Sequence, residues 1–125
     1  MHNYKELKVW QKAMDFVVAV YALTRKFPKD ELFGLTSQLR RAAVSIALNI
    51  AEGAGRETDA EFARFLDIAL GSAYESIVAL IIAQRLGYCD LQESNALVEQ
   101  AEEIARMLTG LIKHYAPNRE YLNQK

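Results

Sequence analysis

Cysteine is nearly absent from this chain: Cys89 stands alone among 125 residues, so no disulfide can form within it. The amino terminus, MHNYKELKVW, has no basic stretch leading into an apolar run with a small-residue cleavage site. Together these two features point to a reducing cytoplasm. Proline occurs twice and glycine six times, too few breakers for a loop-rich fold. The unbroken apolar runs, residues 16–23 and 77–83 among them, fall far short of the roughly 20 residues of a bilayer-crossing helix, so no membrane partner is expected. Charge of one sign is also lacking: 15 Lys and Arg stand against 16 Asp and Glu. That balance removes the basic footprint by which phosphate backbones are generically held. The two histidines, His2 and His114, lie at opposite ends, and neither has a second histidine at helical ligand spacing. No metal site and no cofactor is expected from them.

What is present is ordinary globular material, 51% apolar and 25% charged, in a length that suits one domain with one core. The charge is unevenly spread. Residues 1–29 hold six bases against Glu6 and Asp15, whereas residues 57–115 hold ten acids against Arg64, Arg85, Arg106 and Lys113. Complementary faces, within a bundle or between subunits, account for such an arrangement.

Apolar residues recur at steps of three and four in four segments, predicting helices at about 5–26, 36–53, 58–86 and 90–115, followed by a tail at 116–125. In the first, Leu7, Trp10, Met14, Val17, Tyr21 and Thr24 share one face, and Phe27-Pro28 ends it. The second is expected to start from Thr36 or Ser37 as cap, to bury Leu39, Ala42, Ala43, Ile46, Ile50 and Gly53, and to stop at Gly53 and Gly55. Thr58 with Glu61 has capping-box spacing and opens the third, which carries Phe62, Phe65, Leu66, Ala69, Ala73, Ile77 and Leu80 inward and ends at Gly87. Asp90 with Glu93 repeats that spacing for the fourth, whose stripe runs through Leu97, Ala101, Ile104, Leu108, Leu111 and Tyr115 to Pro117. Short connections make neighbouring helices antiparallel, so the expected fold is all-α: an up-and-down antiparallel four-helix bundle.

One bundle does not use all the apolar surface. Ile68, Val78 and Ile82 project from the third helix away from its core stripe, and Val44, Ala47, Leu48 and Ala51 do the same on the second. Such a surplus marks an interface, most simply with further copies of the chain, and Val44, Leu48, Ile68, Val78 and Ile82 are its expected members. Beside them Arg41, Ser45, Asn49, Glu52 and Arg56 line one side of the second helix, with Glu52 one turn before Arg56 for an ion pair. Arg41, Asn49, Glu52 and Glu75 are therefore expected to form a structural polar network between helices or subunits, since buried charges require partners. Gly71-Ser72 offers room for another helix to approach.

The segments LKVWQKA, FPKDELFGLTSQLRRAAVSIALNIAEGAGR and EFARFLDIALGSAYES, followed by LGY, resemble the bacterial four-helix bundle proteins encoded within intervening sequences of large-subunit ribosomal RNA. The likeness spans about residues 4–115. It implies a non-enzymatic bundle assembling into a ring-like homopentamer. A related bundle serves retroelement reverse transcriptases as an accessory protein, which brings RNA or a nucleic-acid enzyme into view as a partner. This chain departs from that relative in its slight net acidity, leaving a local basic patch from Arg40, Arg41, Arg56, Lys8 and Lys12 as the candidate contact.

Catalytic chemistry finds no foothold in the sequence. The Glu-x-x-His pairs of di-iron bundles are missing, no phosphate-loop lysine follows Gly53-Ala54-Gly55-Arg56, and Cys89 has no neighbouring histidine to activate it. Trp10 and Tyr21 are expected as core anchors rather than platforms for stacked bases. The function expected is that of an oligomeric scaffold, with a protein-interaction adaptor or a purely structural oligomer as the alternatives.

Overall fold

The computed structural model describes residues 1–118. Among these the regular structure is wholly helical: α1 (Lys8–Thr24), α2 (Leu35–Ala54), α3 (Asp59–Arg85) and α4 (Leu91–Tyr115), with short 3₁₀ turns at Tyr4–Glu6 and Lys29–Glu31. Part of the expected tail, residues 119–125, lies outside the described residues. Each helix packs on the next and α4 closes on α1, whereas α1 and α3, like α2 and α4, stand on diagonals.

The ends of the bundle fix the direction of each helix. At one end His2 donates its backbone N–H to the Ala54 carbonyl at 2.7 Å, and its ring lies 4.8 Å from Phe62 and 5.1 Å from Tyr115. The close of α2, the start of α3 and the close of α4 therefore meet there. At the other end Lys26 bonds Glu93 at 2.6 Å, and the tilted rings of Phe27 and Tyr88 meet at 5.7 Å. Successive helices thus run antiparallel, as the short connections require.

Helix starts and stops follow local chemistry, with some departures from the sequence reading. Thr58 caps α3 by accepting the Glu61 N–H at 3.2 Å, while its hydroxyl donates to the Glu61 carboxylate at 3.2 Å. The end of α3 is a Schellman motif: Tyr88 N–H reaches the Ala83 carbonyl, Gly87 N–H reaches Gln84, and Gly87 takes φ +73°. Asp90 caps α4 through the Gln92 N–H at 3.1 Å, but Glu93 does not complete a box because it reaches across to Lys26. Neither Thr36 nor Ser37 caps α2. Thr36 is buried inside the helix, and Glu31, from the preceding turn, accepts the Leu35 N–H at 3.1 Å. Gly53 does not stop α2 either; it is a buried residue within it. A methyl group there would lie 2.6 Å from Phe65 Cβ and 3.1 Å from Phe62 Cδ1, so glycine is what lets α2 and α3 approach at this level.

The largest correction concerns the buried face of α1. Val9, Ala13, Phe16, Val20 and Leu23 are buried, while Met14 and Tyr21 are 40% and 37% exposed. Two apolar stripes about one residue apart, roughly 100° around the helix, run along α1. The stripe with small Ala13 and fully buried Phe16 turns inward, and the bulkier one flanks it. On α2, α3 and α4 the expected core residues are buried or half-buried. By length and composition α3 also has the character of a membrane-crossing helix, a property its interrupted apolar runs conceal, and only a third of its most apolar stretch is buried. It packs here between α2 and α4.

Candidate self-association surface

The outward edges of α2 and α3 are held in register by one polar contact, the 2.9 Å hydrogen bond between the Ser45 and Ser72 hydroxyls. Around it lie side chains that a single bundle leaves in water. Leu48 is 62% exposed, Val78 56%, Ile68 44% and Ile82 43%, and Val44 is half-buried. Ala47, which the spacing placed outside the core, is buried because it faces the α1 side of α2, and Ala51 is half-buried. Within the described residues the amino-terminal segment covers the end of the bundle, through His2, and leaves this face open. Burying such side chains is worth about 25 cal/mol per Å² of apolar area, which gives the surface a drive to associate.

Phe33, which sequence reasoning missed, is the most exposed large apolar side chain among the described residues, at 93%. It stands in the turn between Glu31 and Leu35. One carboxylate oxygen of Glu31 accepts the Leu35 N–H, and the other accepts the Tyr88 hydroxyl at 2.7 Å, tying the α1–α2 connection to the α3–α4 connection. The Tyr88 hydroxyl and the Leu35 amide hold the Glu31 carboxyl below its ordinary pKa, and the same bond to Glu31 raises that of Tyr88. The KDELFG string carried the one available signal, an acid four residues before Leu35. Phe33, Gly34, Ser37, Gln38, Arg41 and Glu75 together line an open groove of about 410 Å³.

Within one chain, the four residues expected as a polar network between helices or subunits are not joined to one another. Asn49 donates to the Ser45 carbonyl and hydroxyl, one turn back on the same helix. Glu52 pairs with Arg56 at 3.2 Å as the spacing foretold. Arg41 and Glu75 share the groove near Phe33 without forming an ion pair. The physical reason is exposure: Arg41, Glu52 and Glu75 are all solvated, so nothing compels them to link up.

The five candidate nucleic-acid contacts are likewise dispersed. Arg40 donates to the Thr24 hydroxyl at 2.8 Å and lies 4.5 Å over the Tyr21 ring, fastening α2 to α1. Tyr21 is therefore a half-open platform for an arginine and not a core anchor. Arg56 is engaged with Glu52 and sits 4.7 Å over Phe65, its Nε buried without a partner. Lys12 bonds Glu103 of α4 at 2.7 Å, a contact that holds the Glu103 carboxyl below its ordinary pKa. Lys8 and Arg41 remain exposed on different helices. The basic α1 and acidic α4 thus partly neutralise one another through Lys12–Glu103 and Lys26–Glu93, as complementary faces of one bundle do.

No group of three or more His, Cys, Asp or Glu side chains among the described residues is placed to hold a metal ion. Burial raises the pKa of the Cys89 thiol, which works against nucleophilic chemistry there. Another groove, of about 300 Å³, lies between α1 and α4 beside Lys12 and Glu103.

A family model described as 23S rRNA-intervening sequence protein matches residues 5–110. Among solved structures, the chain is similar to a protein with unknown function from the S23 ribosomal protein family of Bacteroides thetaiotaomicron. The TM-score is 0.79 at 27% identity, covering 84% of this chain and 98% of that one. No curated protein matches the chain.

Proposed function

We propose, for a chain that belongs to the 23S rRNA-intervening sequence protein family, that it is a non-enzymatic scaffold whose working form is a homo-oligomer. The observation that carries this reading is the exposed apolar face on α2 and α3. Leu48, Ile68, Val78 and Ile82 lie in water around the Ser45–Ser72 contact, where a monomer gains nothing from them. Phe33 extends the same face past the start of α2. The family resemblance supplies five as the copy number and a ring as the form. Working in the cytoplasm is part of the proposal, in keeping with the single free thiol.

RNA enters this reading only through repetition. On one chain the basic residues point different ways and several are occupied, but an assembly would repeat exposed Arg41 once per copy, and repeated charges are what phosphate backbones bind. Static light scattering of the purified chain at micromolar concentration tests the scaffold: an assembly of several chains supports it, and a monomer removes it.

A further inference from the structure

A face that meets its own image across a twofold axis closes dimers. A ring needs two different surfaces that fit each other. Building on the homo-oligomer proposed above, we infer that the second surface is the outer stripe of α1, and that it seats in parallel against the outer stripe of α3 on the next copy.

Along α1 and its carboxyl cap, Asp15, Val18, Ala22 and Arg25 are all exposed and follow steps of three, four and three. Along α3, Arg64, Ile68, Gly71 and Glu75 are all exposed and follow steps of four, three and four. These spacings put each set on one side of its helix. Laid side by side in the same direction, the two stripes pair Asp15 with Arg64, Val18 with Ile68, Ala22 with Gly71, and Arg25 with Glu75. Opposite charges meet at both ends, two exposed apolar residues meet between them, and the smallest residues meet where the helix axes must come closest. Reversing the direction would set Asp15 against Glu75 and Arg25 against Arg64, like against like. The charge pattern thus selects the parallel arrangement.

The fold permits it. α1 and α3 occupy opposite corners of the bundle and run the same way, so each copy offers one stripe on either side. Val18 is 68% exposed and Ile68 44%, and a methyl group at Gly71 would meet no atom within 4 Å. The Thr24–Arg40 and Ser45–Ser72 contacts place Val18 at about the level of Gly71. Pairing it with Ile68 therefore needs an axial stagger of about one helical turn, roughly 5 Å, which a tilt of the bundles in the ring provides. In this arrangement α4, whose exposed surface beyond Leu91 is polar, faces outward.

The test uses the full chain with Cys89→Ser as background. Chains carrying Ala22→Cys are mixed with chains carrying Gly71→Cys, dissociated, reassembled and oxidised. Disulfide-linked pairs should form in the mixture and not in either variant alone, and a chain carrying both substitutions should yield a ladder of linked species. If either variant alone links to itself, or if an assembly proven by light scattering gives no link at all, the α1–α3 pairing is wrong while the scaffold stands. A wild-type monomer in the same scattering measurement would overturn the scaffold itself. As a second readout free of cysteine, Arg25→Glu and Glu75→Arg should each raise the concentration for half-assembly by about tenfold, with the double variant returning it toward wild type. Additive weakening in the double variant would refute the pairing.

Discussion

Replacing Gly53 by alanine tests how closely α2 and α3 approach. A helix interior gains about 1 kcal/mol when alanine replaces glycine, because the unfolded chain has less freedom to lose. At Gly53 that gain is opposed by space. The new methyl would lie 2.6 Å from Phe65 Cβ, 3.1 Å from Phe62 Cδ1 and 3.3 Å from the Phe62 carbonyl, against an ordinary carbon contact of about 3.5–4.0 Å. Phe65 Cβ is fixed to its backbone, so no change of rotamer moves it away, and relief requires the helices to part by about 1 Å. Overpacking of this kind costs about 1–3 kcal/mol, and the upper part of that range applies because the clash is not with a flexible tip. The expected net result is a loss of about 1–2 kcal/mol. Gly110 is the internal control: it lies on exposed α4 with nothing within 4 Å of an added methyl, so Gly110→Ala should stabilise by about 1 kcal/mol. Urea unfolding followed by helical circular dichroism, at one fixed protein concentration, measures both. If Gly53→Ala stabilises as much as Gly110→Ala, the close approach of α2 and α3 is not a property of the folded protein.

Other consequences are equally open to measurement. Ile68→Asp should abolish assembly, seen as loss of the larger species in gel filtration, while leaving helical content unchanged, because its side chain is exposed away from the core. Glu31 has its carboxyl pKa lowered by Tyr88 and Leu35, so it stabilises the fold above the unfolded carboxylate value of about 4.3, and that contribution disappears as pH falls through the lower folded value. Thermal melts from pH 7 to pH 2 should therefore show a smaller acid loss in Glu31→Gln than in wild type. Gly34→Ala should lower the melting temperature at neutral pH, since its methyl would lie 2.6 Å from the Glu31 oxygen that caps α2. Filter binding of structured RNA across a salt series should weaken in Arg41→Glu more than in Arg40→Glu, because Arg40 is committed to Thr24 and Tyr21.

The existence of four helices was legible because each has an apolar stripe and most have an end signal in side chains. Thr58, Asp90 and Gly87 do what their types suggest. The inward face of α1 was not legible, because period alone fits both the Trp10–Met14–Tyr21 stripe and the Ala13–Phe16–Val20 stripe, and only packing against α2 and α4 chooses between them. The cap of α2 was hidden because Glu31 acts from outside the usual capping position. The outward placement of Leu48, Ile68, Val78 and Ile82 could be read, since it needed only rotation about a helix. The uses of Arg40 and Lys12 could not, since Thr24, Tyr21 and Glu103 come from other helices and meet them only in the fold.

Sedimentation velocity of the wild-type chain, diluted through the micromolar range, decides whether the chain works as an oligomer. The expected result is one dominant species with the mass of several chains, five by the family resemblance, persisting until dilution breaks it into single bundles. A single-chain species at every concentration would contradict it, and the apolar face of α2 and α3 would then need another occupant.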